Sequence, residues 1–363
     1  MNLMNSFYRV QSEYLTELTS LILQKNGVIA QEADVTAKSL VDADLRGVSS
    51  HGVIRMSNYL SRLKKGVTTA KPKIEIVKET ESTAVIDGDY GLGQVVSQRA
   101  VEILSEKATK ANLAAVTVRR SNHFGAAAYW AMQLLDKDMI GIALSNVEPL
   151  MPPPGGAGAR VGNNPLAIAV PAGKSTPIVI DMATSVVALG KILAAKSKGQ
   201  TIPEGWGVDK TGLPTTNPDD VVNGGFLYPV GGPKGYGLAV AVDVLTSLLS
   251  KGAIGKEIGS MYNDLEHHND LSHFFMAIRI DAFLEPQVFK DSVDRYIEFI
   301  KNTPLAVNTE QIYLPGEIEH LTKMKNLQEG IMLPASVADE LELFASEAGI
   351  EAGYLQELKK HQS

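Results

Sequence analysis

The chain contains no cysteine in its 363 residues. Disulfides, thiolate nucleophiles and zinc–thiolate sites are therefore excluded. The sequence also has no run near the ~20 apolar residues that a membrane span requires. Residues 1–20 lack the basic and apolar regions of a secretion signal. These absences predict a cytoplasmic protein with no membrane partner.

An excess of positive charge is missing too, since the formal net charge is −7. A general nucleic-acid partner would require a basic stripe, so none is expected. The glycine-rich stretches GDYGLGQVV and GGAGARVG do not have GxGxxG spacing. Gly173-Lys174-Ser175 is not a P-loop, because Ile168 stands where the first glycine belongs. If the protein binds a dinucleotide, it does so without the Rossmann signature.

Metal-binding patterns are equally scarce. The sequence has no HExxH motif and no paired-carboxylate spacing. One cluster is rich in histidine and acid, and it consists of Glu266, His267, His268, Asp270 and His273. A cluster without ligand spacing is a weak signal, so the prediction is a solvated loop and no metal site.

Periodicity predicts an α/β protein with mixed sheets, flanking helices and helical N- and C-terminal segments. Helical spacing indicates two or three helices within residues 7–65, another at 94–110, and helices at the end of the chain. Short apolar or alternating runs predict strands at 83–87, 114–118, 140–145, 166–170, 178–180 and 274–280. The longest apolar stretch, residues 238–249, is interpreted as a buried helix. The Gly- and Pro-marked segment 199–229 is expected to lie over the surface.

Residues 46–65, RGVSSHGVIRMSNYLSRLKK, combine a turn and a helix with polar groups. Ser50 and His51 fall in the turn, and Arg55 and Tyr59 share one face of the following helix because they are four residues apart. Arginine matches a carboxylate bidentately, and histidine exchanges a proton near pH 7. The pattern therefore suits a small anion beside a proton donor. A solvated turn with an exposed arginine fits these residues as well.

Two further positions combine a turn with a helix start. His123 follows a predicted strand and precedes a small-residue helix, where backbone N–H groups would favour an anion and keep an imidazole neutral. Lys234 lies among glycines at the start of the apolar helix, a setting suited to a phosphate. Asp181 emerges at the end of the predicted strand 178–180.

Six motifs follow one another along the chain: RGVSSHGVIR, RRSNHFGAAAYW, VGNNPLAIAVP, IDMATSVVALGKI, IPEGWGVDKTGLPTTNP and GGPKGYGLAVAVD. Together they resemble the type-2 malate/L-lactate dehydrogenases, which include sulfolactate, ureidoglycolate and diketogulonate enzymes. Each motif alone is weak, but the collinear series extends over about residues 8–325 and is specific. The resemblance implies a non-Rossmann nucleotide-binding fold. It implies a helical substrate and dimer region (1–75 with 300–363), a substrate-domain segment (76–125) and a nucleotide-binding domain (126–299).

The resemblance also implies roles for individual residues. His51 matches the proton donor of some members, with Ser50 beside it, and His123 matches the acid/base of others; the sequence does not choose between them. Arg55 matches the residue that binds the substrate carboxylate, and Tyr59 lies near it. The implied cofactor contacts are Asp181, Met182, Ala183, Lys234, Pro315, Gly316 and Glu317.

Three positions depart from the pattern of the ureidoglycolate enzymes and other members. Val147 replaces a cofactor-contacting serine, Glu148 replaces an aspartate, and Asn163 replaces a frequent threonine close to the substrate. Glu148 and Asn163 therefore remain candidate substrate contacts. These departures weaken the transfer of a particular substrate and leave the reaction class unchanged.

The resemblance predicts hydride transfer between nicotinamide C4 and C2 of a small 2-hydroxy or 2-oxo acid. NAD is slightly favoured over NADP, and a homodimer is expected. Ureidoglycolate oxidation to oxalurate is the alternative substrate choice. A serine hydrolase using Ser50 and His51 is a remote alternative, because adjacent residues are expected to be poorly placed for that hydrogen bond and no GxSxG motif is present. A non-catalytic binding protein is the other remote alternative.

Overall fold

A computed structural model describes residues 7–262 and 264–350 of the chain. The predicted helical region 300–363 therefore lies partly outside the described residues. The helices are α1 (Ser12–Lys25), α2 (Ala30–Leu45), α3 (Met56–Lys65), α4 (Gly93–Ala111), α5 (Ala127–Met132), α6 (Leu189–Ser197), α7 (Pro218–Val222), α8 (Pro233–Asp243), α9 (Pro286–Lys301), α10 (Glu317–Glu329) and α11 (Ala335–Glu347). The strands are β1 (Phe7–Val10), β2 (Glu75–Glu79), β3 (Thr83–Asp87), β4 (Leu113–Ser121), β5 (Met139–Ser145), β6 (Leu166–Val170), β7 (Ile178–Met182), β8 (Gly207–Val208), β9 (Pro214–Thr215), β10 (Phe226–Leu227), β11 (Leu271–Arg279) and β12 (Ile331–Pro334).

A seven-stranded sheet in the order β2-β3-β4-β11-β5-β6-β7 forms the centre of the molecule. β3 and β4 run parallel, and the other neighbouring pairs in this sheet are antiparallel. The prediction of mixed α/β architecture is therefore confirmed. A doubly wound Rossmann sheet is largely parallel, so this sheet is of a different kind.

Side-chain alternation along the strands covers both faces of the sheet. Ala143 and Phe275 face α4 and α5, whereas Leu144 and Phe274, one position away on the same strands, pack with Val242 of α8. Successive side chains of a strand point to opposite faces, so two adjacent apolar residues require cover on both sides. The two helical layers supply that cover.

A second layer is built from both ends of the described chain. β1 pairs with β12, and the core of α1, α2 and α3 includes Leu333 and Leu341 from the C-terminal end. The Asn326 amide of α10 donates to the Leu45 carbonyl at the end of α2, at 2.9 Å. α10 therefore lies against the end of α2, where the Ser50–His51 turn begins.

The predicted boundary between residues 125 and 126 falls inside one continuous structure. β4, which precedes it, pairs with β11, which follows it, from Leu271↔Ser121 to Ile278↔Leu113. The seven-stranded sheet thus contains strands from both proposed segments. The division of the chain into the three predicted regions therefore stays a prediction.

Two expectations about apolar and loop segments need correction. The helix at 238–249 is not buried, because only one face packs on the sheet; its exposed apolar side chains are Leu238, Val244, Leu245, Leu248 and Leu249. Segment 199–229 is not only a surface loop. It forms the small sheet β10-β8-β9, whose Val208 and Leu227 are buried at 2% and 1% exposure.

The prediction of a solvated loop holds for Glu266 and His267, which are both exposed, with the His267 imidazole beside Asp264. His268 stacks on Tyr90 with ring centroids 3.7 Å apart, and His273 is fully buried in β11. The strand begins earlier than predicted, which explains the burial of His273. Within residues 7–262 and 264–350, no three His, Asp or Glu side chains are placed to hold a metal ion. Across the same residues, no helix is both long and apolar enough to cross a membrane.

Candidate active site

The Ser50–His51 turn is held between α2 and α3. Residues Ser49–His51 and Val53–Arg55 form two short 3₁₀ turns, which leave too few residues for a flexible loop. The backbone N–H of Val53 donates to Asp44 Oδ2 at 2.8 Å, so the carboxylate of α2 fixes the middle of the connection. α3 then ends at Gly66, whose φ of +74° is the left-handed conformation that glycine commonly adopts at the end of a helix.

A hydrogen bond joins the two residues of this turn. Ser50 Oγ lies 2.9 Å from His51 Nδ1, so the expectation that adjacent residues are poorly placed for this contact is wrong. The 3₁₀ turn folds the two side chains to the same side, which an extended backbone would not do. Ser50 therefore orients the imidazole of His51.

His123 lies beside this turn, where β4 has ended and α5 has not begun. The rings of His51 and His123 are stacked with centroids 5.5 Å apart. His123 Nδ1 lies 2.7 Å from the Tyr59 hydroxyl and 3.4 Å from the backbone nitrogen of Gly125. Residues 72 positions apart in the chain thus form one cluster, and both candidate histidines belong to it.

Arg55 is fixed at the edge of the cluster. Its Nε donates to the carbonyl oxygen of Ser50 at 2.6 Å, and its guanidinium lies 5.3 Å from the ring centroid of Tyr262. The remaining N–H groups of the guanidinium have the fork geometry that binds a carboxylate. Arg55 is also close enough that its charge lowers the pKa of both His51 and His123.

Burial keeps both imidazoles neutral at pH 7. Loss of hydration, followed by the charge of Arg55, lowers the pKa of His51 to about 4. Burial lowers the pKa of His123 well below 6.5, and the charges of His51, Arg55 and His273 act in the same direction. Burial also raises the pKa of Tyr59, so its phenol retains the proton. Both rings are therefore neutral bases at pH 7, and the cluster disfavours the positive charge that a bound proton brings.

The end of β7 is joined to α5, the helix that follows His123. Asp181 Oδ2 accepts a hydrogen bond from the backbone N–H of Ala128 at 3.0 Å, in the first turn of the helix that follows His123. Asp181 has an exposed surface, but the protein atoms around its carboxylate remove part of its hydration. This desolvation raises the pKa of Asp181 to about 6. Met182 is half-buried at the end of the strand, and Ala183 follows it.

Backbone hydrogen bonds attach the start of α8 to the end of β7. Thr184 N–H donates to the Asn163 carbonyl at 3.1 Å, and Val230 N–H donates to the Thr184 carbonyl at 2.9 Å. A Cβ atom on Gly235 would lie 2.4 Å from the Val230 oxygen, so the helix starts as close to this segment as a glycine allows. Lys234 is exposed in this first turn.

The loop Pro315–Glu317 lies against β7. Val179 N–H donates to the Pro315 carbonyl at 2.9 Å, and a Cβ on Gly316, whose φ is +85°, would lie 2.7 Å from Val179 Cβ. Glu317 Oε2 accepts from Leu314 N–H at 3.0 Å, and the carboxylate also pairs with Lys301. Pro315 and Gly316 therefore flank the same strand as Asp181, whereas Glu317 has partners within its own region.

Two of the three residues that depart from the family pattern, Glu148 and Asn163, are candidate substrate contacts, and both have structural partners. The Glu148 carboxylate accepts from Ser260 Oγ at 3.0 Å and from Met261 N–H at 3.3 Å. Asn163 is half-buried, and its carbonyl holds Thr184 as described above. Neither contact reaches the histidines. Glu148 instead anchors the loop that carries Tyr262 to Arg55.

Sequence reasoning missed three residues at this site: Gln94, Asp44 and Tyr262. The Gln94 amide Nε2 lies 2.8 Å from the Tyr59 hydroxyl, and the residue is fully buried. Asp44 is 5% exposed beneath the Ser50–His51 turn. A polar side chain on the buried face of an amphipathic helix was the available signal for Gln94 and Asp44. Tyr262 gave no such signal, because it lies in an irregular loop.

The fold and this cluster define an α/β enzyme with a carboxylate-binding arginine beside a proton-accepting histidine pair. The family model described as malate/L-lactate dehydrogenase matches residues 10–342. The chain therefore belongs to the malate/L-lactate dehydrogenase family, and it is a dehydrogenase. The predicted family membership is confirmed.

Individual relatives agree with this assignment. The chain is 42% identical to the L-sulfolactate dehydrogenase of Methanocaldococcus jannaschii, over 91% of this chain and 94% of the relative. It is 39% identical to the malate dehydrogenase of Pyrococcus horikoshii, over 95% and 97% of the two chains. Among solved structures, the sulfolactate dehydrogenase from Methanocaldococcus jannaschii has a TM-score of 0.89 at 39% identity, covering 97% of this chain and 99% of that one.

Proposed function

We propose that this protein is an NAD(P)-dependent 2-hydroxy acid dehydrogenase of the malate and sulfolactate kind. It transfers a hydride between nicotinamide C4 and C2 of a small 2-hydroxy or 2-oxo acid. The observation that carries the proposal is the cluster itself, in which Arg55 stands beside the stacked imidazoles of His51 and His123. An arginine for the carboxylate next to a base for the carbinol oxygen is what this substrate class requires.

The mechanism divides the work between these side chains. Arg55 binds the carboxylate and thereby holds the C2 oxygen near an imidazole. In oxidation, the neutral imidazole takes the proton from the C2 hydroxyl; in reduction, the imidazolium returns it. Ser50 and Tyr59 hold the two rings in orientation through their Nδ1 atoms.

The edge formed by β7, the start of α8 and the 315–316 loop fits a nicotinamide dinucleotide. Bound NAD or NADP would supply the hydride acceptor and donor at this site. Asp181, Met182 and Ala183 would hold the cofactor beside the cluster, with Pro315 and Gly316 on the other side of the strand. Thr184 Oγ1, a buried hydroxyl without a partner among the described residues, is available at this edge for a cofactor hydrogen bond.

Lys234 completes the proposed cofactor site. It is an exposed cation in the first turn of α8, where a helix N-terminus favours an anion, and it would pair with a cofactor phosphate. NAD is our first choice over NADP. Relatives are named for each nucleotide, namely a ureidoglycolate dehydrogenase (NAD(+)) and a (2R)-3-sulfolactate dehydrogenase (NADP(+)).

Malate and sulfolactate are proposed ahead of ureidoglycolate. Both carry a second anionic group, and the higher identities are to relatives named for those acids. Glu148, which stands in place of the aspartate of the ureidoglycolate enzymes, is occupied by Ser260 and Met261. A serine-hydrolase role for Ser50 and a non-catalytic binding role are both set aside by the family assignment.

The proposal includes a homodimer formed through the outer face of α8 and the π-helical turn Val244–Leu248. Five apolar side chains are exposed there: Leu238, Val244, Leu245, Leu248 and Leu249. Contiguous apolar surface of this kind is typical of an interface. Light scattering of the wild type should give twice the 39.0 kDa chain mass. Leu248→Glu should reduce it toward one chain; an unchanged dimer would place the interface elsewhere.

The first test of function is turnover of an acid panel. We expect NADH or NADPH oxidation with oxaloacetate or sulfopyruvate, and slower or no reaction with pyruvate, phenylpyruvate and 2,3-diketogulonate. Oxidation of malate, sulfolactate and ureidoglycolate by both nucleotides is measured alongside. Folded protein that turns over none of these acids with either nucleotide would contradict the proposal.

The second test addresses the histidines. His51→Ala and His123→Ala should each be measured, and the variant lacking the acid/base group should lose on the order of 10²–10⁴ in kcat. Near-normal turnover in both variants would rule out this mechanism. The matched control is His267→Ala, which removes an exposed imidazole outside the cluster.

A further inference from the structure

Gln94 is placed beside His123 by a close approach of two backbones. It is the second residue of α4, and a Cβ atom on the preceding Gly93 would lie 2.2 Å from the Asn122 oxygen and 2.4 Å from the His123 oxygen. Only a glycine permits the helix to begin this close to the His123 backbone. The Gln94 side chain is consequently buried next to the cluster, at 0% exposure.

The hydrogen bonds from Gln94 to His123 form a single line. Gln94 Nε2 donates to the Tyr59 oxygen at 2.8 Å, so the one proton of the Tyr59 hydroxyl is directed to His123 Nδ1 at 2.7 Å. Gly125 N–H points to the same Nδ1 at 3.4 Å. In this arrangement Nδ1 is an acceptor, and the proton of the neutral ring lies on Nε2.

Proton transfer requires the opposite arrangement. An imidazolium carries protons on both nitrogens, and after it releases the Nε2 proton the remaining proton is on Nδ1. In both forms Tyr59 must accept from Nδ1–H, and its own proton then needs another acceptor. The Gln94 Oε1 atom is buried and has no hydrogen-bond partner among the described residues. A half-turn of the amide presents this oxygen to the Tyr59 hydroxyl.

We infer that Gln94 is a positioning residue whose amide sets the direction of the Tyr59–His123 hydrogen bond. It donates to Tyr59 while Nδ1 is unprotonated, and it turns to accept from Tyr59 when Nδ1 carries a proton. No covalent bond of Gln94 changes; the proton exchanged with substrate enters and leaves at Nε2. This inference rests on the proposed function, because it assigns the proton exchange to His123.

Two substitutions of Gln94 should shift the protonation equilibrium of His123 Nδ1 in opposite directions. Gln94→Glu preserves the shape and supplies a permanent acceptor, which favours the proton on Nδ1 and stabilises the imidazolium. Gln94→Met removes both the donor and the acceptor, which leaves the imidazolium less stabilised. Hydrogen bonds to charged groups are strong enough to shift a pKa by about one unit. If Gln94 had only a structural role, both substitutions would shift the pKa of His123 in the same direction.

The kinetic experiment is the pH profile of kcat/KM for the oxo acid that the wild type reduces best. Activity is lost where the imidazolium deprotonates, and the apparent pKa of that loss should be about one pH unit higher in Gln94→Glu than in the wild type. In Gln94→Met it should be lower by a similar amount. Gln98→Met, one turn further along α4, is the control and should match the wild type. In the Tyr59→Phe background neither Gln94 substitution should shift the limb. Equal shifts in that background would overturn the inference.

A second readout is independent of turnover. ¹⁵N spectra of the imidazoles, with His123→Gln for assignment, should show Nδ1 unprotonated in the free wild type and protonated in Gln94→Glu. If these signals change as expected while no acid is turned over, Gln94 sets the direction of the Tyr59–His123 hydrogen bond, but the proposed function and the proton exchange with substrate fail. If turnover is normal and the His123 signals are identical in wild type and Gln94→Glu, Gln94 has no positioning role.

Discussion

The Asp44 carboxylate occupies the space that a side chain on Gly52 would need. A Cβ atom on Gly52 would lie 1.9 Å from Asp44 Oδ1 and 2.3 Å from Oδ2. The same carboxylate accepts the Val53 N–H at 2.8 Å. This contact fixes α2 to the turn that presents Ser50 and His51. The position of His51 thus depends on a buried acid and on the absence of one methyl group.

Gly52→Ala should therefore damage both stability and activity. The new methyl cannot be accommodated without moving Asp44, and overpacking of this kind costs about 1–3 kcal/mol of unfolding free energy. Displacement of His51 should lower kcat/KM by about 10²-fold, as expected for a misplaced acid/base group. The control is Gly190→Ala in α6, where nothing lies within 4 Å of the added carbon. Urea unfolding and steady-state kinetics measure the two effects. If Gly52→Ala matches the wild type in both, the predicted clash with Asp44 does not occur.

Asp44 should also make stability depend on pH. Burial raises the pKa of Asp44 to about 7, against 3.8 when exposed, and the Val53 hydrogen bond only partly offsets this. Between about pH 4 and pH 7 the folded protein binds this proton more tightly than the unfolded chain. Its contribution to unfolding free energy therefore falls as the pH rises through that window and is constant above it.

Asp44→Asn removes this titration while keeping an acceptor for Val53. As the pH rises from 5 to 8, the unfolding free energy of the variant relative to that of the wild type should increase by about 2–4 kcal/mol. This value follows from the pKa difference at about 1.36 kcal/mol per unit. Urea unfolding of both proteins at four pH values measures this difference. A difference that does not change with pH would mean that Asp44 is charged in the folded protein throughout.

Carboxylate binding should raise the proton affinity of the histidine pair. The Arg55 charge lowers the pKa of His51 and His123, and a carboxylate bound to Arg55 neutralises that charge. Binding should then be accompanied by proton uptake and should tighten as the pH falls from 7 to 5. Calorimetry of oxalate binding at pH 6, in two buffers of different ionisation enthalpy and with saturating nucleotide, measures the uptake. Arg55→Gln is the comparison, and uptake that persists in it would assign the effect to another group.

The elements that periodicity predicts best are those with one buried face. β3 has the bounds 83–87 expected from its alternation, and α4 extends only one residue beyond the predicted 94–110 at each end. The segment 238–249 was interpreted wrongly because an apolar helix that covers a sheet and also exposes an apolar face has the same composition as a buried one. Periodicity reports which residues are apolar, but not what covers them.

The site was predictable only in part for a related reason. His51, His123 and Arg55 stand in short motifs, so their residue types and the resemblance indicate them. Gln94 acts on Tyr59 from 35 positions away, and its role depends on how α4 approaches the His123 backbone. Local sequence does not contain that distance. Contacts between distant segments require the fold, which is why the role of Gln94 was identified only from the structure.

Glu148 should influence substrate affinity through Tyr262. Its carboxylate fixes Ser260 and Met261, and the next residue, Tyr262, has its ring 5.3 Å from the Arg55 guanidinium. A cation–π contact at a partly exposed site is worth about 0.5–1 kcal/mol, so its loss should raise KM for the acid by about two- to five-fold. The value of kcat should change little, because the histidines keep their hydrogen bonds.

Three variants separate this effect from general damage. Glu148→Ala and Tyr262→Ala should raise KM to a similar extent, and the double variant should be no worse than either single one. Tyr262→Phe retains the ring and should keep the wild-type KM. Glu257→Ala is the control, because it removes a nearby acid whose carboxylate accepts a hydrogen bond from the Ile254 N–H. Additive losses in the double variant would show that Glu148 acts on the substrate by another route, such as direct contact.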